Sequence, residues 1–353
     1  MSIRVLVTGV GGGGHGEQIC KALAMAPTDY VVYSADMNPF SKGLYQSERA
    51  IIIPPATSPA YVPTLLRFIS KEHIQVLFHG SEPELRVMSG ERDQFQAAGV
   101  FLPLNPERVI QLCMDKLATM DWLSDHGFCI PQYKRIRSLD DLADLDYFPV
   151  ILKPSLGGGG SFDLFIAQSP SELEAFGSYL LASHEEFIAQ EYVGTVDNEF
   201  TVGVLLDMDG GLMNSIAVRR MILSGLSNRH RVLNRTKRTE LGPLLAVSSG
   251  ISQGEIGAFP DVTGPCEEIA GQLGATGSIN IQCRYWRGRV YVFEINPRFS
   301  GTTSLRAMVG YNEPDLLIRR HVLGEQITKR FKYRAGFILR GLDEIYVEKL
   351  KEE

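Results

Sequence analysis

The residues best suited to chemistry lie late in the chain. Two runs, TGSINIQCRYW and GRVYVFEINPRFSG, occupy 276–301 and alternate in the manner of strands. The segment Trp286-Arg287-Gly288 between them suits a three-residue hairpin loop with Gly288 in the left-handed position. Such a loop sets Tyr285 opposite Arg289 and Gln282 opposite Val292. Gln282, Glu294 and Asn296 then share one face of a β-ribbon. Carboxylate and amide oxygens on one face suit magnesium, a hard cation that fills its remaining positions with water and phosphate oxygens. Pro297 ends the strand because it cannot donate to the ladder. It leaves Arg298 at the strand end, where a guanidinium can hold a transferring phosphoryl group. The plain alternative is a half-buried sheet whose wet face carries three polar residues.

A second group is FPVILKPSLGGGG, in which Lys153 precedes a proline and Gly157, Gly158, Gly159, Gly160 and Ser161 follow. Glycines let backbone N–H groups approach phosphate oxygens without obstruction. No GK[ST] follows, so a Walker loop is disfavoured. A third group is FIAQEYVGTVDNEFTVGVL at 187–205. Gln190, Glu191, Tyr192 and Val193 would end a strand between lobes and offer backbone groups to a base edge, with Glu199 in reach of ribose hydroxyls.

These groups need a scaffold. Apolar runs at 3–8, 30–36, 50–53 and 74–80 alternate with helical patterns at 17–25, 60–72 and 83–98, as in a parallel sheet with helices on its faces. That unit is placed at 1–112. A lobe of short strands and helices, opening on a helix near Asp115, follows at 113–193. Longer antiparallel strands with helices at 262–273 and 313–323 fill an α+β unit at 194–330, and 331–353 is a C-terminal strand with a charged tail. The fold class expected is thus α/β joined to α+β.

Composition bounds the rest. No apolar stretch reaches the roughly 20 residues of a membrane helix, and the five cysteines show no metal-ligand spacing. A net charge of -6 gives no general attraction to nucleic acid or anionic membrane, and the chain reads as cytoplasmic.

The order Asp115-Lys116, Ile151-Leu152-Lys153-Pro154 with its glycine loop, Gln190-Glu191-Tyr192-Val193, Glu199, Asn280-Ile281-Gln282 and Glu294-Ile295-Asn296-Pro297-Arg298 resembles the ATP-grasp superfamily. The likeness is to a single synthetase module of the carbamoyl-phosphate synthase large chain and to carboxylate–amine ligases, and it runs to about residue 323. It implies a Rossmann-like N-terminal (pre-ATP-grasp) domain followed by a two-lobed ATP-grasp domain. It further implies ATP between the lobes, with Lys116 and Lys153 on the phosphates, 190–193 on adenine and Glu199 on ribose. By the same likeness Gln282, Glu294 and Asn296 hold two magnesium ions, which Mn2+ can replace, and Arg298 steadies an acyl phosphate. The glycine loop closes as a lid against water. The implied reaction joins a small-molecule carboxylate to an amine, with carboxyphosphate chemistry as the alternative.

Two features stand apart from that pattern. The stretch 218–242 carries seven basic residues, including Arg219 and Arg220, against the one acid Glu240. It reads as an inserted mobile loop that gathers an anionic substrate, or else as an exposed or dimer-forming face. The opening Gly9-x-Gly11-x-x-Gly14, with Asp36 closing the second strand, formally matches a dinucleotide fingerprint and makes an NAD-dependent oxidoreductase the rival. In the ligase reading, Gly11, Gly12, His15, Glu82, Arg219, Arg220, Arg298 and Ser300 line the substrate side instead.

Overall fold

The computed structural model describes residues 2–47, 49–156, 163–223 and 226–351. The chain opens with a four-stranded parallel sheet in the order Arg49–Ile52, Tyr30–Asp36, Ile3–Val7, Val76–Phe78. Its inner strand Ile3–Val7 is covered on both faces, with Ile3, Val5 and Val7 packed to one side and Leu6 to the other, and only the partly exposed Arg4 interrupts the apolar run. The helices His15–Ala24 and Tyr61–Glu72 follow the first and third strands in sequence. The helix expected over 83–98 is two helices, Glu82–Gly90 and Arg92–Ala97. They part at Glu91, whose backbone leaves the helical region just after a glycine, the weakest helix former short of proline.

Next comes an antiparallel sheet in the order Tyr133–Ile136, Phe187–Glu191, Val150–Pro154, Phe165–Ala167. The helix Lys116–Asp125 precedes it, capped by Asp115, whose carboxylate accepts from the Leu117 and Ala118 amides. The largest sheet has six antiparallel strands: Arg289–Asn296, Ser278–Trp286, Glu199–Leu206, Leu212–Arg220, Gly254–Gly257 and Gly336–Ile338. Helix Pro260–Leu273 packs its buried face, Val262, Cys266, Ile269 and Leu273, against this sheet. The strand expected after residue 330 is the edge of this same sheet, paired with Gly254–Gly257.

The basic stretch is not a free loop. Asn228–Leu233 is a strand paired with Leu244–Ser248, and three side-chain contacts tie the segment to the middle sheet and to the helix Pro170–Leu181 beside it. Arg238 pairs with Glu191 at 2.7 Å, Arg235 pairs with Glu172, and the Gln168 amide bonds the backbone of Leu233 and Arg235. Four of its arginines, Arg219, Arg220, Arg235 and Arg238, pair with acids brought from elsewhere in the chain, which the local sequence does not display.

Candidate active site

The late ribbon forms with a shorter turn than its sequence suggests. Arg287 and Gly288 both have positive φ, at 49° and 77°, and together close a two-residue hairpin that sets Trp286 opposite Arg289. Tyr285 therefore faces Val290, not Arg289. A bulge at Phe293 then shifts the register, so Gln282 faces Glu294, not Val292, and Asn280 faces Asn296. The polar face survives because the bulge inserts one residue between Val292 and Glu294. Asn280 and Arg284 belong to the same face and line the same cavity, and both were missed. The two-residue alternation that picked out Gln282 would have found them.

A cavity of about 490 Å³ is lined by residues of the N-terminal domain, the middle sheet, the six-stranded sheet and the ribbon strand Leu244–Ser248. Its wall includes Lys116, Lys153, Gln190, Glu191, Tyr192, Val193, Glu199, Gln282, Glu294, Asn296 and Arg298. The expected glycine loop, Gly157 to Gly160 with Ser161, lies outside the described residues.

Lys153 is buried at the end of its strand and donates from Nζ to the Phe293 carbonyl at 3.2 Å, beside Glu294. Burial pushes its pKa down to about 8; the Glu294 carboxylate opposes that shift and Lys116 adds to it. Lys116 opens its helix against the strand end, its amide donating to the Ser155 carbonyl at 3.1 Å. In the 190–193 segment, the Gln190 amide meets the Met120 sulfur, Glu191 pairs with Arg238, and the Tyr192 hydroxyl sits between the Ala246 N–H and C=O. The Arg284 guanidinium stacks over the Tyr192 ring at 4.2 Å and donates to the Val193 carbonyl.

Glu199 is buried between two arginines. Its Oε2 accepts from Arg284 Nε and Nη2 at 3.2 and 3.0 Å, and Arg220 Nη1 lies 3.3 Å from Oε1. Burial alone would raise this carboxyl, but the charges of Arg284 and Arg220 hold it below the usual carboxylate range. Arg220 also donates to Gln282 Oε1 at 3.1 Å, while Gln282 Nε2 donates to Glu294 Oε2 at 2.7 Å. A guanidinium can only donate, so the Gln282 oxygen faces Arg220 and its NH2 faces the carboxylate. That orientation departs from the expectation that the Gln282 oxygen stands open to a cation.

The N-terminal domain contributes Gly12, Gly13, Gly14, His15 and Glu82 to the same wall. Arg298 Nη2 bonds both Glu82, at 2.8 Å, and Asn296 Oδ1, at 3.0 Å. Burial would raise the Glu82 carboxyl, but Arg298, with Lys116 and Arg86, holds it low. His15 packs edge-on against His79 with ring centroids 5.3 Å apart. Burial, then Arg298 and His79, keep it well below the usual histidine range. Ser300 and Gly301 line the cavity beyond Arg298.

Three substrate-side expectations change. Arg219 points out of the cavity and pairs with Glu255 at 2.7 Å, because neighbours on a strand face opposite ways. Arg220 faces inward but is committed to Glu199, Gln282 and the Ser249 carbonyl. Gly11 is held against Asp36, whose two oxygens accept from the Gly11 and Asn38 amides, each at 2.9 Å. The carboxylate that dinucleotide binding reserves for a ribose is thereby occupied by backbone.

Two family descriptions match parts of the chain: a PylC-like N-terminal domain over 5–104, and an ATP-grasp domain, described as acting in the biosynthetic pathway with Ter operon, over 184–344. The chain carries an ATP-grasp fold behind a PylC-like N-terminal domain.

Solved ATP-grasp structures resemble it across nearly its whole length. The biotin carboxylase domain of Hydrogenobacter thermophilus 2-oxoglutarate carboxylase, crystallised with MgADP, ADP and bicarbonate, is 14% identical with TM-score 0.63, covering 94% of this chain and 71% of its own. N5-carboxyaminoimidazole synthetase from Staphylococcus aureus, in complex with ADP, is 14% identical with TM-score 0.62, covering 90% and 77%. L-amino acid ligase from Bacillus licheniformis is 15% identical with TM-score 0.60, covering 90% and 74%. No curated protein sequence matches the chain. Among the described residues, no helix of the chain is long and apolar enough to cross a membrane.

Proposed function

We propose that the protein is an ADP-forming ligase that phosphorylates a small-molecule carboxylate with ATP and couples the acyl phosphate to an amine. The observation that carries the reading is the convergence of Lys153, Glu294, Asn296 and Arg298 on one cavity that Tyr192, Val193 and Glu199 also line. A carboxylate oxygen attacks the γ-phosphorus and ADP departs. The amine then attacks the acyl carbon, phosphate leaves, and the nitrogen gives up a proton. Phosphoryl transfer depends on positioning and charge neutralisation, and these side chains are of the types that provide it.

The donor set fits magnesium. Among the described residues no group of three His, Cys, Asp or Glu side chains is spaced for a metal, so a thiolate or imidazole site is not what these residues offer. Glu294 and Asn296 present hard oxygens on the face that Lys153 approaches, the Asn296 oxygen sharing its lone pairs with Arg298 Nη2. One carboxylate with an amide oxygen suits an ion that keeps its waters and takes phosphates as its other ligands. Two ions are assigned to Glu294 and Asn296, with Gln282 beside them, and Mn2+ is expected to substitute. Bound there, magnesium neutralises the phosphate chain. Lys153 and Lys116 add positive charge, Arg298 holds the transferred group, and the N-terminal wall of Gly12, His15, Glu82 and Ser300 receives the carboxylate and the amine.

A screen of amino acids and small carboxylates for Mg-ATP-dependent ADP formation, with mass detection of the coupled product, tests the proposal. A correct pair gives ADP and product in equal amounts, and Glu294→Gln abolishes both. Turnover unchanged in Glu294→Gln removes that carboxylate from its role. Thermal stabilisation by NAD and not by MgADP would instead favour the dinucleotide rival.

A further inference from the structure

The two ends of the cavity are linked by a buried chain of alternating charge. It runs from Tyr192, on the segment assigned to the base, through Arg284 to Glu199, then through Arg220 to the Gln282 amide and on to Glu294. Arg220, Arg284 and Glu199 are each less than a tenth exposed. Along this path Arg220 Nε has no hydrogen-bond partner, and Glu199 Oε1 lies close to Arg220 without being aligned with it. An incompletely satisfied buried network is costly, and a site that binds a ligand is where such a cost is retained.

We infer that Arg220 is a positioning residue that sets the sugar-side carboxylate Glu199 and the metal-side carboxylate Glu294 together, acting through the Gln282 amide. The inference rests on the ligase reading above, which supplies the nucleotide and the cation. Nη1 donates to Gln282 Oε1 and stands 3.3 Å from Glu199 as an ion pair, and Nη2 is anchored on the Ser249 carbonyl. A lysine ammonium is a point charge on a flexible stem and cannot hold three acceptors in one plane. While the guanidinium stays in place, the Gln282 NH2 is turned to Glu294 and orients it. A ribose hydroxyl that donates to Glu199 Oε1 competes with Arg220 for that oxygen, and the guanidinium's hold on Gln282, and through it on Glu294, shifts with it. The sugar and the cation are therefore coupled, and the coupling is reciprocal.

The test is ADP binding by calorimetry, with and without Mg2+. In the native protein Mg2+ strengthens ADP binding by about tenfold or more, within the usual span of coupling between two sites. Arg220→Met takes one of the two arginines from Glu199 and so weakens metal-free ADP binding, and it also loses the Mg2+ enhancement, so the ratio of affinities with and without Mg2+ is the quantity read. Arg220→Lys retains a buried charge beside Glu199, so it protects the fold, and it too loses most of the enhancement. Gln282→Met gives the same loss. Arg220→Met combined with Gln282→Met loses no more than either alone, because both changes cut one path.

The inference is overturned if the enhancement survives in Arg220→Lys, if Arg220→Met weakens ADP equally with and without Mg2+, or if the losses multiply in the double variant. An ADP affinity in the native protein that ignores Mg2+ overturns the ligase reading itself, and the inference with it.

Discussion

Arg298 Nη2 lies 2.8 Å from Glu82 Oε1, so the residue that ends the late hairpin is tethered to a helix of the N-terminal domain. Glu82 is the first residue of that helix, whose cap is Ser81. Arg298 is thus located by both units. Replacing Glu82 with Ala leaves Arg298 with Asn296 and the Phe299 carbonyl only. The expected result is a fall in ADP formation of about 10- to 100-fold, the usual effect of a misplaced clamp, with the KM for ATP little changed. Initial rates over a grid of ATP and carboxylate concentrations check it. A raised ATP KM at unchanged kcat would place Glu82 on the nucleotide instead.

Lys153 sets a pH limit. Burial brings its pKa to about 8 against the pull of Glu294, with Lys116 lowering it further. Its charged form, the form that attracts phosphates, is present below that pH and lost above it. The kcat/KM for ATP, which reports groups of the free enzyme, should fall as pH rises through about 8. Lys153→Met should be slow at every pH and lack that limb. A flat profile from pH 7 to 9.5 in the unaltered protein would show that this ammonium is not needed (on the order of one pH unit either side of its titration is sufficient to see the limb).

The basic ribbon yields a prediction about nucleotide affinity. Arg238 pairs with Glu191 at 2.7 Å and with Glu240 at 2.9 Å, and so holds the end of the strand that leads into Tyr192 and Val193. The pair is partly exposed and screened by water, so its worth is about 1 kcal/mol or less. Arg238→Ala should weaken ADP binding by about threefold to fivefold, in line with that energy, with a smaller loss at high salt. Calorimetry at two ionic strengths checks it, and an unchanged affinity would leave the ribbon no part in shaping the base end.

The polar face of the hairpin was legible because a strand's two-residue period needs only local sequence. The turn was not, because nothing in Trp286-Arg287-Gly288 marks Arg287 as the residue that accepts a positive φ. The bulge at Phe293 was equally hidden, since it shows only against the partner strand. The error in turn length and the bulge left Gln282, Glu294 and Asn296 on one side. Arg219 and Arg220 carried a readable signal that was passed over: adjacent strand residues cannot both face a cavity. The ribbon at 228–248 depends on Glu172, Gln168 and Glu191, acids and an amide far off in sequence, and a run of arginines read alone looks like a solvated loop. The commitment of the Gln282 oxygen to Arg220 is likewise a matter of tertiary contact.

His15 and His79 predict how stability depends on pH. Both are buried, with His79 held near the Ser81 carbonyl at 3.2 Å. Burial, with Arg298 adding to it, lowers the His79 pKa to about 4, and His15 is shifted in the same direction. In the unfolded chain both titrate near 6.5. Between those values the unfolded state binds more protons than the folded one, so the folded state gains as pH rises. For His79 the contribution is complete above about pH 6.5 and is lost as pH falls toward 4, at about 1.4 kcal/mol per pH unit in that window, and His15 contributes with the same sign. The melting temperature should therefore drop by several degrees between pH 7 and pH 5. His79→Asn removes one titrating ring and should flatten the slope, whatever it does to the melting temperature at pH 7. A slope unchanged in His79→Asn and in His15→Gln would mean that other groups carry the acid sensitivity.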